Sequence, residues 1–152
     1  MIEIETNRLI IKSKCTVLDG VFKYPERKPF TSIWDTPPVD NGESGGFAVY
    51  LKSGEYVAHI LVLFKRKPYE LSVGTEEKYR NNGYMKEAHD AVINWIFKNC
   101  STDCISALVG PISPIASRKI LTRFGFKEAK EGRDEWWILE RNSFKDSHLN
   151  QA

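Results

Sequence analysis

With three cysteines, two methionines, a net charge of +2 and no long apolar run, the chain falls outside several protein classes. Cys15, Cys100 and Cys104 are too few, and odd in number, for a disulfide framework; they fit free thiols in a reducing compartment. Cys100 and Cys104 stand four apart, but no further ligand pair follows at zinc spacing, so both read as ordinary apolar side chains and no metal is expected. The 22 basic and 20 acidic residues nearly cancel, which leaves no electrostatic footprint for nucleic acid. No stretch approaches the roughly 20 apolar residues of a membrane span. Residues 1–12 carry Glu3, Glu5 and Arg8 where a secretory signal needs an apolar segment, so the cytoplasm is the expected location. Two phosphate-binding signatures are also missing, Gly-x-x-x-x-Gly-Lys-Ser/Thr and Gly-x-Gly-x-x-Gly.

What remains is a chain of 152 residues, 41% hydrophobic and 28% charged, enough for one globular domain over 1–142 with a polar tail over 143–152. Ile2 to Ile11 reads as a first strand. Residues 13 to 46 are irregular, with Pro25, Pro29, Pro37 and Pro38, a short helix near Val17–Tyr24, and Phe30, Ile33 and Trp34 as pocket wall or as anchors to the core. Phe47–Leu51, Tyr56–Phe64 and Tyr69–Thr75 form an antiparallel meander. Met85, Ala88, Val92, Trp95 and Ile96 then fall at helical spacing over 84–98. Ile105–Val109 is a fifth strand, and Ile115–Phe124 is a second helix ended by Gly125. Lys127–Gly132 connects to a last strand, Glu135–Glu140, buried on both faces. The order predicts an α+β (mixed α/β) single domain.

Between the fourth strand and the first long helix stand Arg80, Asn81, Asn82, Gly83, Tyr84 and Met85. A strand that passes to a helix through small polar residues and a glycine leaves backbone N–H groups pointing outward at the positive end of the helix dipole, which makes an anion site.

Arg80-x-x-Gly83-x-Met85 resembles the pyrophosphate loop of the GCN5-related N-acetyltransferase (GNAT) superfamily. Glu5-Thr-Asn-Arg-Leu-Ile-Ile11 is similar to the opening of its RimJ/RimL branch, which acetylates ribosomal-protein N termini. Glu70–Thr75 is similar to the superfamily's fourth strand, and Ile115–Phe126 to its second conserved helix. The resemblance covers most of the chain outside residues 13–46. It implies a mostly antiparallel sheet splayed at the fourth and fifth strands, with flanking helices. It also implies acetyl-coenzyme A as cofactor, held by Val73, Gly74, Thr75, Arg80, Asn81, Asn82, Gly83, Tyr84, Met85 and Ser117. An amine would attack the thioester directly, with a strand N–H near Val73 meeting the oxyanion. A small-molecule or peptide amine is the implied acceptor, and a monomer or homodimer the implied state.

The sequence departs from the family pattern at Met85 (usually Gly or Ala), at Pro114 (often Asn) and at Leu121, where many members have a Tyr that protonates the leaving thiolate. A catalytically weak or inactive binding module on the same fold is therefore the alternative to an enzyme. An attacking amine must first lose a proton. Glu70 is the candidate base; the plain alternative is a surface glutamate at a strand start. His59 is a lone histidine among apolar neighbours, which is more often structural than catalytic. His89 is expected on the solvent side of its helix. Arg118, Lys119 and Arg123 are candidates to meet the cofactor's ribose phosphate, or are simply a solvated face.

Overall fold

The computed structural model describes residues 2–13, 15–23, 45–63, 68–109, 114–129 and 136–144. The opening segment is two strands and not one. β1 (Ile2–Glu5) and β2 (Leu9–Ser13) pair antiparallel around a turn at Thr6–Arg8. Thr6 reverses the chain there. Its N–H donates to Leu9 O (2.9 Å), and its Oγ1 accepts from Leu9 N–H (3.1 Å).

The helix expected near Val17–Tyr24 is a hairpin instead, β3 (Thr16–Leu18) with β4 (Val21–Lys23). Asp19 and Gly20 both take positive φ, 52° and 76°, as a two-residue hairpin turn requires. That local signal, with β-branched Thr16, Val17 and Val21 beside it, overrides the weak helical pattern. Tyr24 and the irregular segment through residue 44, with Phe30, Ile33 and Trp34, lie outside the described residues.

The meander forms as expected, from β5 (Gly45–Leu51), β6 (Tyr56–Leu63) and β7 (Tyr69–Thr75). A 3-10 turn at Glu77–Tyr79 leads to α1 (Tyr84–Asn99), followed by β8 (Cys104–Leu108), α2 (Pro114–Arg123), β9 (Lys127–Glu128) and β10 (Trp136–Glu140). The eight-stranded sheet runs β1-β2-β5-β6-β7-β8-β10-β9. Among its described strands only β7 and β8 pair in parallel; these are the expected fourth and fifth strands.

α1 turns Ala88, Val92, Ile93, Ile96 and Phe97 onto the sheet at helical spacing, and all are buried. They meet a face built from Leu9, Ile11, Phe47, Val49, Ile60 and Val62. Each fully buried side chain of this size contributes roughly 1.5–3 kcal/mol, so this layer fixes where α1 begins relative to β7. The Arg141 guanidinium closes the other end of α1 by donating to the carbonyls of Phe97, Cys100 and Thr102. Gly125 follows α2 as expected, with a φ of 91°.

Two expectations about the C-terminal part change. Lys127–Gly132 is not purely a connection, since β9 begins it. Trp136, Trp137 and Ile138 are half-buried rather than buried on both faces, and only Leu139 of β10 is buried. Residues 141–144 make a helical turn, and Phe144 is buried with its ring 5.7 Å from that of Phe97.

Candidate active site

β7 and β8 hold together over three residue pairs: Tyr69 with Ile105, Glu70 with Ser106 and Leu71 with Ala107. Beyond Leu71, β7 continues to Thr75, but its β8-side edge has no partner strand among the described residues. The strands part and a groove opens between them. A cavity of about 690 Å³ runs from Val73, Gly74 and Thr75 past Arg80 and Asn81 to Gly83, Tyr84, Met85 and Lys86, with Ser117, Ile120 and Arg123 of α2 opposite. A second cavity, of about 440 Å³, reaches between the strands to Glu70, Ser72, Ala107 and Leu108, and shares Val73, Ser117, Ile120 and Phe124 with the first.

The loop that enters α1 is shaped as an anion seat. Asn81 and Gly83 both take the left-handed conformation, φ 65° and 76°. Gly83 is the N-cap of α1, and its carbonyl accepts the first helical bond, from Glu87 N–H at 3.1 Å. The N–H groups of Tyr84, Met85 and Lys86 therefore have no acceptor within the helix, and no side chain caps the helix start. Left-handed turns of this kind and the helix dipole both favour a bound anion. Arg80 stands at the lip and donates from Nε to Thr75 O at 3.2 Å. Met85 turns its side chain partly into the core, so its backbone stays at the seat. Asn82 behaves differently from its neighbours. Its Nδ2 folds back on the carbonyls of Tyr79 (3.2 Å) and Arg80 (3.0 Å), so its side chain braces the loop.

The opposite face of β7 carries the candidate proton acceptors. Register pairs Leu63 with Glu70, Leu61 with Ser72 and His59 with Gly74, so Glu70 and the His59 ring share one face. Glu70 and Gly74 lie about 13 Å apart along the strand. Glu70 is not a surface residue; only 5% of it is exposed. The His59 ring covers Gly74 so closely that a Cβ built there would lie 2.5 Å from His59 Cε1. A bulge at Val49/Tyr50 brings Tyr56 opposite Tyr50, and the Tyr56 hydroxyl shares a hydrogen bond of 3.3 Å with His59 Nδ1. Burial pushes the Tyr56 phenol up to about 12, helped by Glu76 and Tyr50. Burial holds the His59 imidazole below its ordinary range against the pull of Glu76, which keeps it neutral near pH 7.

His89 is not on the solvent side. It is 2% exposed and stacks on Phe124 with ring centroids 4.2 Å apart, which ties α1 to α2 beneath the groove. Its spacing from Val92, Ile93 and Ile96 places it on the buried face, and the polar identity of the residue hid that. Arg123 lines the first cavity, whereas Arg118 and Lys119 are exposed on α2. Leu121 lines the second cavity and offers no proton donor there. Among the described residues no three His, Cys, Asp or Glu side chains are grouped to hold a metal.

Sequence reasoning missed a link between two of its own motifs. Glu87 in the first turn of α1 accepts from Thr6 Oγ1 (2.6 Å), Arg8 N–H (3.0 Å) and Arg8 Nε (2.8 Å), so the β1–β2 turn is bolted to the loop. The signal was present as Thr6-x-Arg8 in the opening segment and Glu87 four residues after Gly83.

Comparison with known proteins agrees with this geometry. A family model described as "Acetyltransferase (GNAT) domain" matches residues 24–127. An uncharacterised N-acetyltransferase of Bacillus subtilis (strain 168) is 27% identical over 128 residues, covering 78% of this chain and 72% of that protein. The spermidine N-acetyltransferase of Vibrio cholerae, crystallised with CoA and spermine, superposes with a TM-score of 0.57 at 12% identity, over 68% of this chain and 69% of that one. A putative ribosomal-protein-serine acetyltransferase of Vibrio cholerae gives 0.54 at 18% identity, over 64% of each chain.

Proposed function

The chain belongs to the GNAT acetyltransferase domain family, and from that premise we propose that it transfers an acetyl group from acetyl-coenzyme A to a primary amine. The observation that carries this reading is the continuity of the groove. A strand edge at Val73–Thr75 with no partner strand among the described residues leads to the helix N-terminus at Tyr84–Lys86, where Gly83 as N-cap offers no side-chain cap, within one cavity. A long ligand with amides along an arm and a pyrophosphate at its end fits that sequence of donors.

Acetyl-coenzyme A supplies an acyl thioester activated toward amines. The chain's residues supply the rest. Backbone N–H groups of Tyr84, Met85 and Lys86, with the Arg80 cation, hold the pyrophosphate. The β7 edge at Val73, Gly74 and Thr75 pairs with the amides of the arm as an added strand would, and Ser117 flanks it from α2. Val73, which lines both cavities, would offer its N–H to the acyl oxygen. Glu70 takes the proton of the incoming amine, directly or through water, from the face that it shares with His59. Leu121 has no proton to give, so solvent in the groove would have to supply the proton of the leaving thiol.

The acceptor is a small amine or a protein N terminus. The Glu5–Ile11 opening and the ribosomal-protein acetyltransferase among the structural neighbours support the N-terminal class; the spermine-bound neighbour supports a polyamine. The test is thiol release from acetyl-CoA with spermine, an aminoglycoside and peptides bearing free N termini. Release with at least one class, with the acetylated amine found by mass, is the expected result. Binding without release for every class would replace the enzyme with a binding module on the same fold.

A further inference from the structure

The residues around Arg8 do more than close a turn. Arg8 donates from Nη1 to Asn82 O at 2.9 Å, inside the loop, and from Nε to Glu87 Oε1 at 2.8 Å. Its guanidinium lies over the Tyr84 ring, 4.5 Å from the centroid, and Tyr84 is the first residue of α1. A Cβ built on Gly83 would meet Arg8 Nη2 at 3.4 Å, so the guanidinium backs the loop where it turns into the helix. Arg8 is absent from the lining of the groove.

We propose that the β1–β2 turn is a positioning element for the cofactor seat, in which Arg8 and Glu87 fix the shape of the loop that leads into α1. The proposal rests on the reading of that loop as the pyrophosphate seat. An isolated exposed ion pair would contribute little. This one is embedded in a network: the Glu87 carboxylate accepts three hydrogen bonds from the turn, and the Arg8 fork reaches a carboxylate and a carbonyl while covering an aromatic ring. Partial burial works to raise the Glu87 carboxyl, but the bonds from Thr6 and Arg8 outweigh it and hold it below the usual range. Glu87 is thus ionised at neutral pH in the first turn of α1, where a negative charge suits the helix dipole. Without the clamp, Asn82 O and the Tyr84 ring lose the group that fixes them, and the loop no longer holds a fixed position against the N–H donors of the first turn. Arg8 is a positioning residue, since it acts through Asn82 and Tyr84 and not on the reacting atoms.

The test compares CoA with S-acetyl-pantetheine, which has the arm but no pyrophosphate, by calorimetry on the full chain. Arg8→Gln and Glu87→Gln should each weaken CoA by about tenfold while leaving S-acetyl-pantetheine unchanged. The double variant should bind CoA no worse than the weaker single one, because both cut the same network. Arg8→Lys keeps the charge but cannot reach Glu87 and Asn82 O together, so it should show the same loss in a protein that folds. Unchanged CoA affinity in folded Arg8→Lys, or equal loss of both ligands, would overturn the proposal. Failure of the wild-type protein to bind CoA at all would overturn the functional reading first, and the proposal with it.

Discussion

Replacing Gly83 with alanine separates the role of this residue in the backbone from its role at the seat. Gly83 sits at φ 76°, where an L side chain costs about 1–2 kcal/mol. The stiffer unfolded chain returns about 0.4–1 kcal/mol of that, so net destabilisation should be near 1 kcal/mol. In a domain of 152 residues that lowers Tm by about 2–4 °C. The new methyl would also lie 3.4 Å from Arg8 Nη2, in contact with the group that backs the loop. If the loop shifts enough to lose one charge-assisted N–H contact, about 1.5–3 kcal/mol of CoA binding disappears, roughly tenfold to a hundredfold. Gly54→Ala is the matched control. Its φ is 99°, nothing lies within 4 Å of a Cβ there, and it is in the β5–β6 turn. Urea melts should give both variants similar losses, while calorimetry should show weaker CoA binding for Gly83→Ala alone. Undiminished CoA affinity in folded Gly83→Ala would refute the placement of the pyrophosphate at this loop.

Arg80→Ala should weaken CoA by about tenfold at low salt, the share of one partly solvated contact to phosphate, and a titration showing no loss would assign the seat to backbone donors alone. Glu70→Gln should cut turnover by about 10²–10⁴-fold with CoA affinity intact, and a loss of only a few-fold would move the proton to His59 or to water. His89 is held below its ordinary range by burial, against the opposing pull of Asp90 and together with the Lys86 charge. The unfolded chain therefore binds a proton near pH 6.5 that the folded chain refuses, and stability should fall as pH drops below about 6.5, by up to about 1.4 kcal/mol per unit. Urea melts of His89→Leu between pH 5 and 7 should show a shallower fall than wild type; an identical slope would mean that His89 does not report this burial.

The parts of the fold that follow from period alone were legible. Met85, Ala88, Val92, Trp95 and Ile96 announce α1, and the β-branched runs announce β5, β6 and β7. The strand–loop–helix turn was legible too: Gly83 stands between β7 and α1 and takes a positive φ there. What escaped depends on contacts far apart in sequence or on local turn chemistry. Thr6 reverses the chain through its own side chain, and Asp19-Gly20 makes a hairpin out of a segment with a faint helical pattern. The helical spacing of His89 from Val92, Ile93 and Ile96 carried its burial, but its stacking on Phe124, 35 residues away, was not visible in the sequence. The bond between Arg8 and Glu87 spans 79 positions, so each motif was visible and the link between them was not.

The most direct test of the cofactor placement is backbone amide exchange with and without saturating CoA. The amides of Val73–Thr75 and Tyr84–Lys86 should gain protection together, while those of the β3–β4 hairpin and β10 stay unchanged. Protection elsewhere, or none at these two segments while CoA is bound, would contradict it.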